Sequence, residues 1–143
     1  MIEGIALGNV MVDCGDEQRL RTYTYDKEWV DRYYQKKVTD KSRRFFAICH
    51  YEKAVGEISL KNIDFEQGCA TMSVVFSNDN YKNRGWGTEA ERLIVDYAFD
   101  ELGLHIIYAD CVLRNKRSQH VLEKIGFIYS HEDEAMRYYV FKR

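Results

Sequence analysis

Residues 81–87 (Tyr-Lys-Asn-Arg-Gly-Trp-Gly) carry the strongest chemical signal in this 143-residue chain. Gly85 and Gly87 let backbone N–H groups come close to an anion. A helix starting there adds its unbonded first-turn donors and the positive end of its dipole. Phosphate binding is the chemistry that suits such a place. A loop that merely turns tightly from strand to helix accounts for the same two glycines. Glu89 and Glu91 count against a phosphate through like-charge repulsion.

The flanking pattern says what would position this loop. Residues 73–77 (Ser-Val-Val-Phe-Ser) read as a strand. Ala90, Leu93, Ile94, Tyr97 and Ala98 then recur at helical spacing. Thr88 and Glu91 have the Thr-x-x-Glu spacing of a capping box, and Gly103 stands where a left-handed residue closes a helix. A strand over 105–113 completes a βαβ unit, which crosses over right-handed. Asn115 can cap a second helix with stripe Ser118, Val121, Leu122 and Ile125, closed by Gly126. The Walker pattern is absent. The dinucleotide pattern G-x-G-x-x-Gly/Ala is matched by Gly85, Gly87 and Ala90, with Asp110 placed 25 residues after Gly85. Against it, seven residues separate Ser77 from Gly85, and only 33 residues follow Asp110, too few for a doubly wound sheet.

Upstream, residues 1–25 are the least regular, with Ile5, Leu7, Val10 and Val12 as a candidate edge strand. Asp26 suits an N-cap, with Tyr25 and Val30 as a hydrophobic staple. Trp29, Val30, Tyr33, Tyr34 and Val38 give that helix an apolar face that reads as core packing. Residues 44–50 are apolar on both faces, which predicts a central strand. Residues 55–62 alternate, with Ile58 and Leu60 inward and Glu57, Ser59 and Lys61 on a polar face. Residues 69–77 form the next strand, and 127–131 with 135–142 a closing hairpin. Three antiparallel strands thus feed one βαβ unit.

Composition fits one soluble domain with a substantial core. A net charge of −2 gives no global nucleic-acid footprint, so no DNA partner is expected. No apolar run reaches the ~18 residues of a membrane span, and the N-terminus lacks a signal-peptide pattern, so a cytoplasmic setting is expected. Cys14, Cys49, Cys69 and Cys111 lack C-x-x-C spacing and read as reduced, small core residues. The four histidines are scattered, and no metal site is expected.

Taken together, the loop and the second helix resemble the GNAT superfamily of acetyl-coenzyme A-dependent N-acetyltransferases. The family loop, Gln/Arg-x-x-Gly-x-Gly/Ala, is matched in register by Lys82-Asn83-Arg84-Gly85-Trp86-Gly87, with Lys at the first position. The run 87–104 and Asn115-x-x-Ser118-x-x-Val121-x-Glu123-Lys124-x-Gly126-Phe127 look like the branch containing ribosomal-protein N-terminal acetyltransferases. The resemblance spans roughly residues 44–127. It implies an α/β fold: a mixed, mostly antiparallel sheet of six or seven strands, about four flanking helices, and a parallel pair that splays apart.

By the same resemblance, acetyl-coenzyme A lies in that splay and an amine acceptor meets it there, with room for a homodimer. Its pyrophosphate is expected on the backbone of Arg84, Gly85, Trp86, Gly87 and Thr88, and its pantetheine along Phe76 and Ser77. Lys82, Arg84, Arg114, Lys116 and Arg117 supply positive charge. Many family members carry a tyrosine general acid where Leu122 stands here. In the ribosomal-protein branch a serine serves the sulfur instead, and Ser118 matches it; Asn115 completes the co-substrate set. Ser118 equally suits a helix-start hydroxyl bonded to local backbone. Glu57 is the first candidate for general base, and an ordinary surface carboxylate is the plainer reading of it. Without the tyrosine, a non-catalytic acyl-coenzyme A-binding domain is the alternative.

Overall fold

The structure, a computed structural model, describes residues 26–77, 79–82 and 84–143. The candidate strand at Ile5–Val12, Cys14 and the staple residue Tyr25 lie outside these residues. The described chain runs α1 (Lys27–Thr39), β1 (Arg44–His50), β2 (Lys53–Asp64), β3 (Cys69–Phe76), a 3-10 turn (Asp79–Tyr81), α2 (Trp86–Asp96), a π-helical turn (Tyr97–Glu101), β4 (Ile106–Val112), α3 (Lys116–Ile125), β5 (Ile128–Glu132) and β6 (Met136–Lys142). The sheet order is β1-β2-β3-β4-β6-β5. Every neighbouring pair is antiparallel except β3 with β4. One parallel pair in a mixed sheet excludes the doubly wound alternative.

Asp26 caps α1 as its position predicts, its Oδ1 accepting from the N–H of Trp29 at 3.1 Å. Val30 is fully buried, while Trp29 is exposed and stacks on Tyr33. Strand β1 is not central. It pairs only with β2 among the described residues. Both of its faces are apolar because each meets a different helix: Phe45 lies edge-on to Tyr34 of α1, and Phe46 edge-on to Tyr97 beyond α2. The polar face expected on β2 is also corrected. Glu57 and Ser59 are buried along with Ile58 and Leu60. Of the three described cysteines only Cys111 is buried; Cys49 is exposed.

Helix α2 begins two residues before the expected cap. Gly85 is its N-cap, left-handed at φ +80°, and no side chain caps the helix. Thr88 and Glu91 therefore sit inside the helix and form no capping box. The π turn, marked by the bond from Leu102 N–H to the Tyr97 carbonyl, inserts an extra residue. Ala90, Glu91, Ile94, Val95 and Ala98 form one buried face in ordinary helical phase, which leaves Leu93, predicted inward, exposed on the other side. Asn115 caps α3, its Oδ1 accepting from the N–H of Ser118 at 3.0 Å. Gly126 ends α3 at φ +118°, where a Cβ would stand 2.6 Å from the Phe141 ring. Ile58, Leu60, Ile107, Leu122, Phe127 and Tyr139 join the α2 residues in one core.

Candidate functional site

Strands β3 and β4 are paired over only Cys69–Ile106, Ala70–Ile107 and Thr71–Tyr108. Beyond that point β3 stays on β2 as far as Phe76 opposite Gly56, and β4 stays on β6 as far as Val112 opposite Met136. The two strands therefore part, and a cleft of about 480 Å³ opens between them. Glu57, Ser59, Val74, Glu91, Asp110, Cys111, Asn115 and Ser118 all line it. Open sheets offer ligand sites at the carboxyl ends of their strands for this reason.

A narrower groove of about 130 Å³ continues from this cleft toward the start of α2, lined by Phe76, Lys82, Gly87, Arg117 and Val121. Val74, Glu91, Asn115 and Ser118 border both spaces. The groove ends at the uncapped first turn of α2, where backbone donors and the dipole favour an anion. A Cβ at Gly87 would meet the Phe76 ring at 3.2 Å, so a larger residue there requires that ring to shift. The loop, the end of β3 and the start of α3 thus converge, as the sequence predicts. An elongated ligand with phosphates at one end fits this shape.

Two expected residues point elsewhere. The Ser77 amide and hydroxyl both donate to the Val55 carbonyl, at 2.9 and 3.1 Å, so they extend the β2–β3 ladder. In an antiparallel ladder alternate residues point their backbone groups to opposite sides. With Ser77 turned to β2, the backbone of Val74 and Phe76 faces the gap. Trp86 stacks on His50 with ring centroids 4.3 Å apart and lines a separate apolar pocket with Phe46 and Leu93. Its backbone lies in the uncapped first turn of α2. Arg84 is exposed; its Nε donates to the Asn80 carbonyl at 2.7 Å and its guanidinium lies over the Trp86 ring.

Helix α3 is fixed against the sheet by polar contacts. Gln119 Nε2 donates to the Leu113 carbonyl, and Arg137 donates to Gln119 Oε1 at 3.1 Å. The Tyr139 hydroxyl donates to Glu123 at 3.0 Å; burial first, then Glu123, pushes that phenol up to about 12. This network holds Ser118 at the cleft beside Cys111, which lines the same space. Burial raises the Cys111 pKa more than Ser118 and Arg137 lower it, so the thiol stays protonated.

Glu91 was not among the expected site residues. It is only 3% exposed, its Oε2 is buried without a hydrogen-bond partner among the described residues, and burial pushes its pKa up to about 8. A signal for it exists in the sequence: Glu91 stands four residues before Val95 and seven before Ala98, in phase with the buried face. Because the folded pKa lies above the unfolded value, folding favours the protonated form. Stability should fall as pH rises from about 4.5 to about 8 and then level off. Glu91→Gln removes this loss, which is on the order of a few kcal/mol. Melting curves should give the variant a Tm higher than wild type by roughly 5–10 °C at pH 9, and a similar Tm at pH 4.5. Equal offsets at both pH values would contradict the assignment.

Among the described residues no group of His, Cys, Asp and Glu could hold a metal ion, and no helix is long and apolar enough to cross a membrane. A sequence profile of the acetyltransferase (GNAT) domain matches residues 12–128. The spermidine N(1)-acetyltransferase of Escherichia coli K12 is 35% identical over 104 residues, which are 72% of this chain and 54% of that protein. The chain therefore spans about half the length of that relative. Among solved structures, the spermidine N-acetyltransferase of Vibrio cholerae in complex with CoA and spermine superposes with a TM-score of 0.74 at 18% identity, covering 83% of this chain and 76% of that one. A Campylobacter jejuni N-acetyltransferase in complex with acetyl coenzyme A gives a TM-score of 0.73 at 24% identity, covering 88% and 85%. The profile match over most of the chain establishes the family, and the chain belongs to the acetyltransferase (GNAT) domain family.

Proposed function

We propose that this chain transfers an acetyl group from acetyl-CoA to a primary amine, a polyamine foremost. The observation that carries the reading is the continuous path from the uncapped α2 N-terminus, through the groove, into the cleft holding Glu57 and Ser118. The phosphates of acetyl-CoA suit the first turn of α2, with Lys82 and Arg117 beside it. The pantetheine amides suit the outward backbone of Val74 and Phe76, as an added strand. Buried Glu57 and exposed Asp110 give the cleft negative charge toward a cationic amine. The two spermidine acetyltransferases among the relatives support a polyamine; a peptide N-terminus, as in the ribosomal-protein branch, and an amino sugar are the competing acceptors.

In this reading the neutral amine attacks the thioester carbonyl, forming the N–C bond as the C–S bond breaks. Glu57 takes the amine proton directly or through water. A β3 backbone N–H facing the gap stabilises the oxyanion. The Ser118 hydroxyl, which lines the cleft, hydrogen-bonds the departing thiolate. Leu122, 2% exposed, occupies the place of the usual family tyrosine and favours the binding-module alternative. The deciding experiment measures acetyl-CoA-dependent thiol release on spermidine, spermine, an amino sugar and an N-terminal alanyl peptide. Turnover with a polyamine is expected. Binding of acetyl-CoA without turnover on any amine would favour the binding module.

Ser118→Ala should lower kcat by up to ~100-fold and leave acetyl-CoA affinity nearly unchanged, because the bond to sulfur strengthens mainly in the transition state. Unchanged turnover with a lowered Tm would make Ser118 a local packing residue instead.

A further inference from the structure

We propose that Glu91 holds the pantetheine arm of acetyl-CoA, its carboxyl O–H donating to an amide carbonyl of that arm. This rests on the functional reading above and adds a positioning residue to it. The placement is specific. Glu91 borders both the wide cleft and the narrow groove, together with Val74, Asn115 and Ser118, so it stands at their junction. A ligand reaching from the phosphate end to Ser118 passes that point.

Its Oε2 is buried with no hydrogen-bond partner among the described residues. A buried polar atom left so is costly, and a ligand group that satisfies it recovers the loss. Ionised, a carboxylate only accepts; protonated, it carries one donor and keeps acceptor capacity, which complements an amide. Other titratable groups line the two spaces around it: Glu57 and Lys61 on β2, Asp110 and Cys111 on β4, Tyr33 on α1 and Arg43 before β1 in the cleft, Lys82 before α2 and Arg117 on α3 in the groove. None of them contributes to the upward shift of Glu91, which comes from burial alone.

The test is the dissociation constant of acetyl-CoA across pH 6.5–9.5 by calorimetry, for wild type, Glu91→Gln and Glu91→Leu. If binding selects the neutral acid, wild-type affinity should fall about tenfold between pH 7 and pH 9. Glu91→Gln keeps a donor and an acceptor, so it should bind within about threefold of wild type at pH 7 and lose that pH dependence. Glu91→Leu, checked for folding by its melting curve, should bind about tenfold more weakly at pH 7. Wild-type binding flat in pH, or a Gln variant that follows the wild-type curve, overturns the proposal while leaving the functional reading intact. Wild type that fails to bind acetyl-CoA at pH 7 overturns both.

Discussion

Gly85→Glu is expected to weaken acetyl-CoA binding by more than ~100-fold while the protein remains folded. Gly85 sits at φ +80°, with no atom within 4 Å of the position a Cβ would take. The substitution therefore meets no clash, and the left-handed conformation costs a non-glycine residue only about 1–2 kcal/mol. The binding loss comes from charge. A carboxylate at the N-cap competes for the N–H donors of Trp86, Gly87 and Thr88 and repels a pyrophosphate placed there. Gly85→Asn separates the two effects, because asparagine tolerates the left-handed region without charge. It should retain affinity within a few fold. A glutamate variant that binds within threefold of wild type would remove the α2 N-terminus from the site.

Glu57→Gln is expected to lower kcat by about 10²–10³-fold with acetyl-CoA affinity within threefold of wild type. Glu57 lies on β2 opposite Val75 of β3 and Ala47 of β1. It is 6% exposed and lines the wide cleft, not the narrow groove. Glutamine keeps the shape and polarity of the side chain but cannot take a proton from the amine. A loss confined to kcat, measured by thiol release at saturating amine, fits a general base; a rise in amine KM with kcat unchanged fits a residue that only binds the cation. Turnover within threefold of wild type would return Glu57 to a structural role.

The order of elements from β1 to β6 was legible because each rests on a local pattern: alternation in β2, the helical stripe of α2, the cap at Asn115 and the stop at Gly126. The splay was legible only through the family resemblance, because no local pattern says where two parallel strands cease to pair. The misread residues share one physical cause: their environment is set by distant segments. Residues 44–50 are apolar on both faces, as a central strand is, yet β1 ends the described sheet and its faces are only partly covered, by ring contacts to Tyr34 and Tyr97. Thr88 and Glu91 have the spacing of a capping box, but the left-handed Gly85 starts the helix earlier and turns Glu91 inward. Leu93 fits the predicted stripe, but the buried face includes Glu91 and Val95, which turns Leu93 to the outside. Ser77 follows the strand pattern, and only the partner Val55 reveals that its donors are already used.

The central claim is that acetyl-CoA lies between β3 and β4 with its phosphates at the start of α2. A crystal structure of the protein with CoA tests this most directly. The expected result is a pyrophosphate within hydrogen-bond distance of the Gly85–Thr88 amides, pantetheine along Val74 and Phe76, and the sulfur at Ser118. CoA seated instead in the apolar pocket of Phe46, Trp86 and Leu93, or with its phosphates away from α2, would contradict it.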